Sequence, residues 1–167
     1  MSKKRRWLAS DPTAFSPPSR PLILGIETSC DETAAAVAGS DAVVLAEVVR
    51  SQVETHARFG GVVPELAGRR HIESIDLVVQ EALARAGVGV RDLSAIAVTG
   101  GPGLIGALLV GVSYGKALAY SLNIPLIPVN HLEGHLSASW LGPTRVTQPF
   151  VALIASGGHT NLYHVKA

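Results

Sequence analysis

The chain has 167 residues, 47% hydrophobic and only 16% charged, which is enough apolar material for a real core and excludes an intrinsically disordered protein. Its one cysteine, Cys30, excludes a disulfide scaffold and fits a reducing compartment. The net charge of +1 averages two unlike parts: Lys3, Lys4, Arg5, Arg6 and Arg20 crowd the first twenty residues, leaving nine basic against twelve acidic residues from Pro21 onward.

Residues 1–20 lack hydrophobic periodicity and read as a disordered basic tail. The tail has no apolar core of a secretory signal, and Asp11 is foreign to transit peptides, so an unprocessed cytoplasmic N-terminus is expected. Leu22 to Thr28 and Thr33 to Ala38 then read as a hairpin around a polar turn, with Val43 to Arg50 as a third antiparallel strand. Gly60 and Gly61 mark a loop. Pro64 suits the first position of a helix reaching about Ala86, with Leu66, Ile72, Ile75, Val79 and Leu83 as its apolar face.

Leu93 to Gly115 carries no charge over twenty-three residues, long enough for a membrane span. Gly100, Gly101, Pro102 and Gly103 interrupt it, so it reads as a buried strand (Ala95 to Thr99), a glycine turn and a buried helix from Leu104, with no membrane association. A strand from Pro125 to Val129, a helix from Leu132 to Trp140, and strands at Phe150 to Ala155 and Asn161 to Val165 complete the pattern. A meander followed by alternating strands and helices defines an α/β fold with a mixed sheet. Leu22 to Ala38 and Phe150 to Val165 repeat one plan of strand, small polar turn, threonine and strand. The second copy reads as the opening of a second lobe.

The sequence Gly101-Pro102-Gly103-Leu104-Ile105-Gly106 matches a dinucleotide fingerprint literally, but it lacks the acid about twenty residues on, and it reads as tight strand-to-helix packing. His131 and His135 lie four positions apart. On a helix they are separated by about 40° and can share one metal ion. Glu133 stands about 200° from His131, unlike the glutamate of the metalloprotease order H-E-x-x-H. Ser156, Gly157, Gly158 and His159 form either an anion-cradling turn or an ordinary hairpin turn. At the first turn, Asp31 and Glu32 are candidates for acid–base work, whereas Cys30 has no local partner base and reads as structural. Arg69, Arg70 and His71 form either an RNA-facing cluster or a solvated helix face.

The ordered series IETSCDETAAAV, SQVETHARFGGVVPELAGRRH, TGGPGLIGALLVGVSYGKALA, NHLEGHLSA and SGGHT resembles the tRNA threonylcarbamoyladenosine-synthesising enzyme family, formerly called O-sialoglycoprotein endopeptidases, in its bacterial branch. The resemblance runs from about Pro21 onward. It implies an actin-like (ASKHA) fold: residues 21–148 as a first lobe, and 149–167 as the first hairpin of a second lobe whose remainder is absent. It implies transfer of the threonylcarbamoyl group from threonylcarbamoyl-AMP to the adenosine beside the anticodon of tRNA, at position 37. His131 and His135 would be ligands to iron or zinc, with an aspartate of the remaining lobe as the further ligand. Ile154, Ala155, Ser156, Gly157 and Gly158 would bind the adenylate, and Asp31 and Glu32 would lie near the reaction centre. The implied partners are a paralogous actin-like subunit and a small ATPase subunit. The fragment is expected to be inactive alone. A non-catalytic partner-binding lobe and, less favoured, a metallopeptidase are the alternatives.

Overall fold

The computed structural model describes residues 20–141, 146–156, 158 and 160–166. Strands β1 (Leu22–Glu27), β2 (Glu32–Gly39) and β3 (Val44–Ser51) form the expected meander. Strands β4 (Leu93–Gly101) and β5 (Leu126–Asn130) join it, giving the order β3-β2-β1-β4-β5. β1 runs antiparallel to β2 but parallel to β4, and β4 runs parallel to β5. The sheet is therefore mixed, and three neighbouring strands end at one edge with Glu27, Thr99 and Asn130 close together. Ligand sites collect at the carboxyl ends of parallel strands.

Alternation along the strands divides the sheet into two unlike faces. Leu24, Ile26, Ala35, Val37, Ile96 and Val98 are buried beneath helices α2 (Pro64–Ala86) and α3 (Ile105–Leu122). The opposite face presents Gly25, Ala34, Ala36 and Ala97 to a cleft of about 350 Å³ that reaches Glu27, Thr99, Val129 and Gly134. Helix α2 runs from Pro64 at its first position to a left-handed cap at Gly87, matching the sequence boundaries. Two details of its faces differ from expectation. His71 is fully buried and belongs to no RNA-facing cluster, whereas Ile72 points outward.

Helix α3 meets the length and composition test for crossing a membrane, and only 22% of it is buried. It is thus a partly covered helix, not the buried one expected. Its inner stripe of Ala107, Gly111, Gly115 and Ala119 is small enough to lie directly on its neighbours. A short helix α1 (Val53–Ala57), unforeseen in the sequence, follows β3. Helix α4 (His131–Ser137) leaves β5 directly and continues as a 3₁₀ turn to Trp140. Strands β6 (Phe150–Ala155) and β7 (Thr160–Val165) form a separate antiparallel hairpin. The expected tail lies outside the described residues except for Arg20, which is ion-paired with Asp41 and so does not belong to a free tail.

Two glycines fix how closely α3 and its leading loop approach the β1–β2 turn. A Cβ on Gly103 would lie 2.6 Å from the Ser29 carbonyl oxygen, and one on Gly111 would lie 2.4 Å from Thr28 Oγ1. Thr28 is buried and donates to the Ala107 carbonyl at 2.9 Å, so its hydroxyl has nowhere to retreat. Gly106 has open space where its Cβ would be. Alanine favours a helix by about 1 kcal/mol over glycine. Gly106→Ala is therefore expected to raise stability by a few tenths to about 1 kcal/mol, while Gly111→Ala lowers it by about 1–3 kcal/mol through overpacking; urea unfolding of the two variants checks the opposite signs.

Candidate functional site

The segment Glu27 to Asp31 is held by four different elements. The Ser29 carbonyl accepts from Leu104 N–H at 2.8 Å, and the Asp31 carbonyl accepts from Gln52 N–H at 2.9 Å. The Cys30 carbonyl accepts from His71 Nε2 at 3.0 Å. Since a carbonyl can only accept, His71 carries its proton on Nε2, and its Nδ1 accepts from Thr33 Oγ1 at 2.8 Å. His56 is pinned in the same tautomer: Val63 N–H donates to its Nδ1 at 3.3 Å, and its Nε2 donates to Gln52 Oε1 at 3.1 Å. Burial, opposed by the Cys30 carbonyl, pushes the His71 pKa below its ordinary value. This neutral network underlies the turn that presents Asp31 and Glu32, the former half-buried and the latter exposed.

Helix α4 begins where β5 ends because Asn130 caps it, accepting from Leu132 N–H at 2.9 Å and Glu133 N–H at 3.4 Å. The cap places His131 and His135 on one face, as the spacing required. Their Nε2 atoms are 3.1 Å apart, with the rings edge to face at 4.5 Å between centroids. His131 Nδ1 lies 3.1 Å from Ser29 Oγ and 3.2 Å from Glu27 Oε2. The structure thus joins the first turn to the histidine pair, two motifs separated by about a hundred residues. Glu133 is exposed.

Glu27 is the residue that sequence reasoning missed. Thr99 Oγ1 donates to its Oε2 at 2.6 Å, and Ser29 N–H donates to Oε1. Burial alone would raise its pKa, but hydrogen bonds from Ser29, Thr99 and His131 together outweigh burial and hold the carboxyl below its ordinary range. The advance signals were its place in the motif IETSCDETAAAV and strand alternation, which puts Glu27 on the face opposite Leu24 and Ile26.

Among the described residues no group of three His, Cys, Asp or Glu side chains could hold a metal ion. The histidine pair supplies two positions, with both Nε2 atoms converging at a spacing that suits neighbouring ligands of one ion. Ile154 is half-buried in β6, and Ala155, Ser156 and Gly158 are exposed around the hairpin turn; Gly157 lies outside the described residues. Cys30 is exposed, yet burial around its sulfur and the adjacent Asp31 push the thiol up to about 11. It is therefore protonated at neutral pH.

The mixed sheet, covered on one face by α2 and α3 and carrying the histidine pair beyond the end of β5, defines an α/β protein. YeaZ from Pseudomonas aeruginosa has the same fold, with a TM-score of 0.55 at 18% identity over 88% of this chain and 66% of that one. Residues 43–167 match the family described as tRNA N6-adenosine threonylcarbamoyltransferase, and the chain belongs to that family. A relative of that name from Clostridioides difficile (strain 630) is 59% identical over 145 residues, covering 87% of this chain and 43% of its own length. Another, from Syntrophobacter fumaroxidans, is 58% identical over 144 residues, covering 86% and 42%. The chain therefore spans less than half the length of these curated relatives.

Two outcomes follow from the titrating groups. An unfolded chain protonates His71 as pH falls below 6.5, while the native ring resists, so the network's contribution is complete above 6.5 and declines as pH drops toward the depressed native value. Urea unfolding between about pH 7.5 and about pH 5.5 should show stability falling, with a shallower slope in His71→Gln. Cys30 should react with iodoacetamide at neutral pH on the order of 100-fold more slowly than an unperturbed thiol; alkylation at the ordinary rate would refute the raised pKa.

Proposed function

We propose that this chain forms the first lobe, and with β6–β7 the opening hairpin of the second, of a tRNA N6-adenosine threonylcarbamoyltransferase. The observation that carries this reading is the convergence of the His131 and His135 Nε2 atoms at 3.1 Å beside the Ser29–Glu32 turn, in a chain of this family. The exocyclic amine of the adenosine beside the tRNA anticodon attacks the carbamoyl carbon of threonylcarbamoyl-AMP. The new N–C bond forms, the C–O bond to the adenylate phosphate breaks, AMP departs, and the amine gives up one proton. Asp31 and Glu32, at the end of the turn, are the candidate acceptors for it.

His131 and His135 would hold an iron or zinc ion, with a third ligand from the part of the relatives that this chain does not span. Such an ion, when bound, supplies a Lewis acid for the threonylcarbamoyl group. Ile154, Ala155, Ser156, Gly157 and Gly158 would bind the adenylate, a small-residue turn of this kind being suited to an anion. Glu133, far round the helix and exposed, is not placed as the glutamate of the metalloprotease order H-E-x-x-H would be, which disfavours the metallopeptidase alternative.

The outer surface favours a second role in assembly. Ile72 of α2 and Ile105, Leu109 and Tyr120 of α3 are 67%, 84%, 63% and 89% exposed, an apolar surface suited to the paralogous actin-like subunit. A small ATPase subunit completes the proposed complex, and the cytoplasm is its proposed compartment.

Incubation of the chain with threonylcarbamoyl-AMP and unmodified tRNA, followed by nucleoside analysis, is expected to give no threonylcarbamoyladenosine. Adding the remaining portion of a relative as a separate polypeptide, together with the paralogous actin-like subunit and the small ATPase subunit, should restore it, and His131→Ala or His135→Ala should abolish the restored activity. Full activity in both histidine variants would overturn the assignment.

A further inference from the structure

Glu27 stands in the first family motif, IETSCDETAAAV, but the resemblance assigns it no role, and among the described residues it is the one carboxylate bonded to either histidine. Both of its oxygens are engaged: Oε1 accepts from Ser29 N–H, and Oε2 accepts from Thr99 Oγ1 at 2.6 Å. The carboxylate is therefore fixed in orientation by β4 and by the turn that follows β1. An ionised carboxylate has only acceptors to offer. The His131 Nδ1 that faces it at 3.2 Å must then carry a proton, and Ser29 Oγ, 3.1 Å from the same nitrogen, provides a second acceptor. With Nδ1 protonated, the lone pair of the neutral ring resides on Nε2, the atom that faces His135 Nε2 at 3.1 Å.

We propose that Glu27 is a positioning residue of the histidine pair: it locks His131 in the Nδ1–H tautomer and turns the Nε2 lone pair toward the point His135 shares, ready for a metal ion. This rests on the metal reading given above for the pair. The arrangement is a carboxylate–histidine relay of the kind that orients metal ligands and raises their basicity. Its three members come from three neighbouring strand ends, Thr99 from β4, Glu27 from β1 and His131 just beyond β5, so sheet register sets their spacing. Glutamine in place of Glu27 keeps the shape, but its amide can turn an N–H toward Nδ1 and release the opposite tautomer.

Long-range ¹H–¹⁵N correlation spectra of the imidazoles read the tautomer without any metal, and calorimetric zinc titration of the full chain, with His131→Ala as the blank, reads the affinity. The expected result is an Nδ1–H ring in the wild type, loss of that state in Glu27→Gln, and zinc affinity lower by about 10–100-fold. Thr99→Val, which removes a donor to the carboxylate but leaves its charge, should retain the Nδ1–H tautomer. A wild-type ring protonated on Nε2 overturns the inference with no variant required. So does a Glu27→Gln protein that keeps both the tautomer and the zinc affinity, which would reduce Glu27 to a tie between strands. Loss of the tautomer in Glu27→Gln with no zinc bound by either protein would reject the metal reading, and with it the purpose of the lock, while the tautomer itself stands.

Discussion

The structure turns on a five-residue segment whose backbone and side chains are held by four separate parts of the chain. Glu27 is fastened to β4 through Thr99, and Thr28 to α3 through the Ala107 carbonyl. The Ser29 carbonyl takes the N–H of Leu104, Cys30 takes the N–H of buried His71, and Asp31 takes the N–H of Gln52. A buried polar backbone must find partners or lose several kilocalories per mole, and here the partners are distributed over β4, α2, α3 and the start of α1. No one element can shift without disturbing the turn. The close fits at Gly103 and Gly111 are the steric counterpart of the same arrangement.

That anchoring explains how distant motifs meet. The parallel alignment of β1, β4 and β5 brings their carboxyl ends side by side, and the Asn130 cap starts α4 at the point where β5 leaves the sheet. His131 consequently arrives next to Ser29 and Glu27 without any intervening loop. Beneath the turn, neutral His56 and His71 are fixed in one tautomer by partners that can only donate or only accept. The polar network supports the turn from the helix side, and the small residues Gly25, Ala34, Ala36 and Ala97 leave the other side open.

Much of this was legible in the chain. Pro64 marked the start of α2 and the end near Ala86 was expected, where the structure places a left-handed cap at Gly87, and the His131–His135 spacing announced a shared face. The β1–β2 hairpin followed from alternation and a polar turn. The misreadings have physical causes as well. Arg69, Arg70 and His71 look like one polar cluster in sequence, but at about 100° per residue a helix spreads three neighbours over some 200°, so the third turned inward and Ile72 turned out. Helix α1 is five residues long, too short to show periodicity. Glu27 escaped notice because a lone acid at a strand end has no local pattern; its meaning comes from Thr99 and His131, neither of them near in sequence. The fold's kinship with YeaZ and the membership of its family agree with the motif order, while the roles of Asp31, Glu32 and the β6–β7 turn depend on a substrate that sequence and backbone alone do not supply.

The brevity of α4 has a thermodynamic corollary. Seven residues, one of them Gly134, make a helix that would be almost wholly frayed as a free peptide. Within the protein, the Asn130 cap and the strand it grows from hold those residues in helical form, so the two imidazoles are brought together during folding. Any species that engages both rings meets a preassembled chelate. The configurational entropy of gathering the ligands has already been lost, and the effective concentration of the second imidazole at the first is set by the sheet rather than by diffusion.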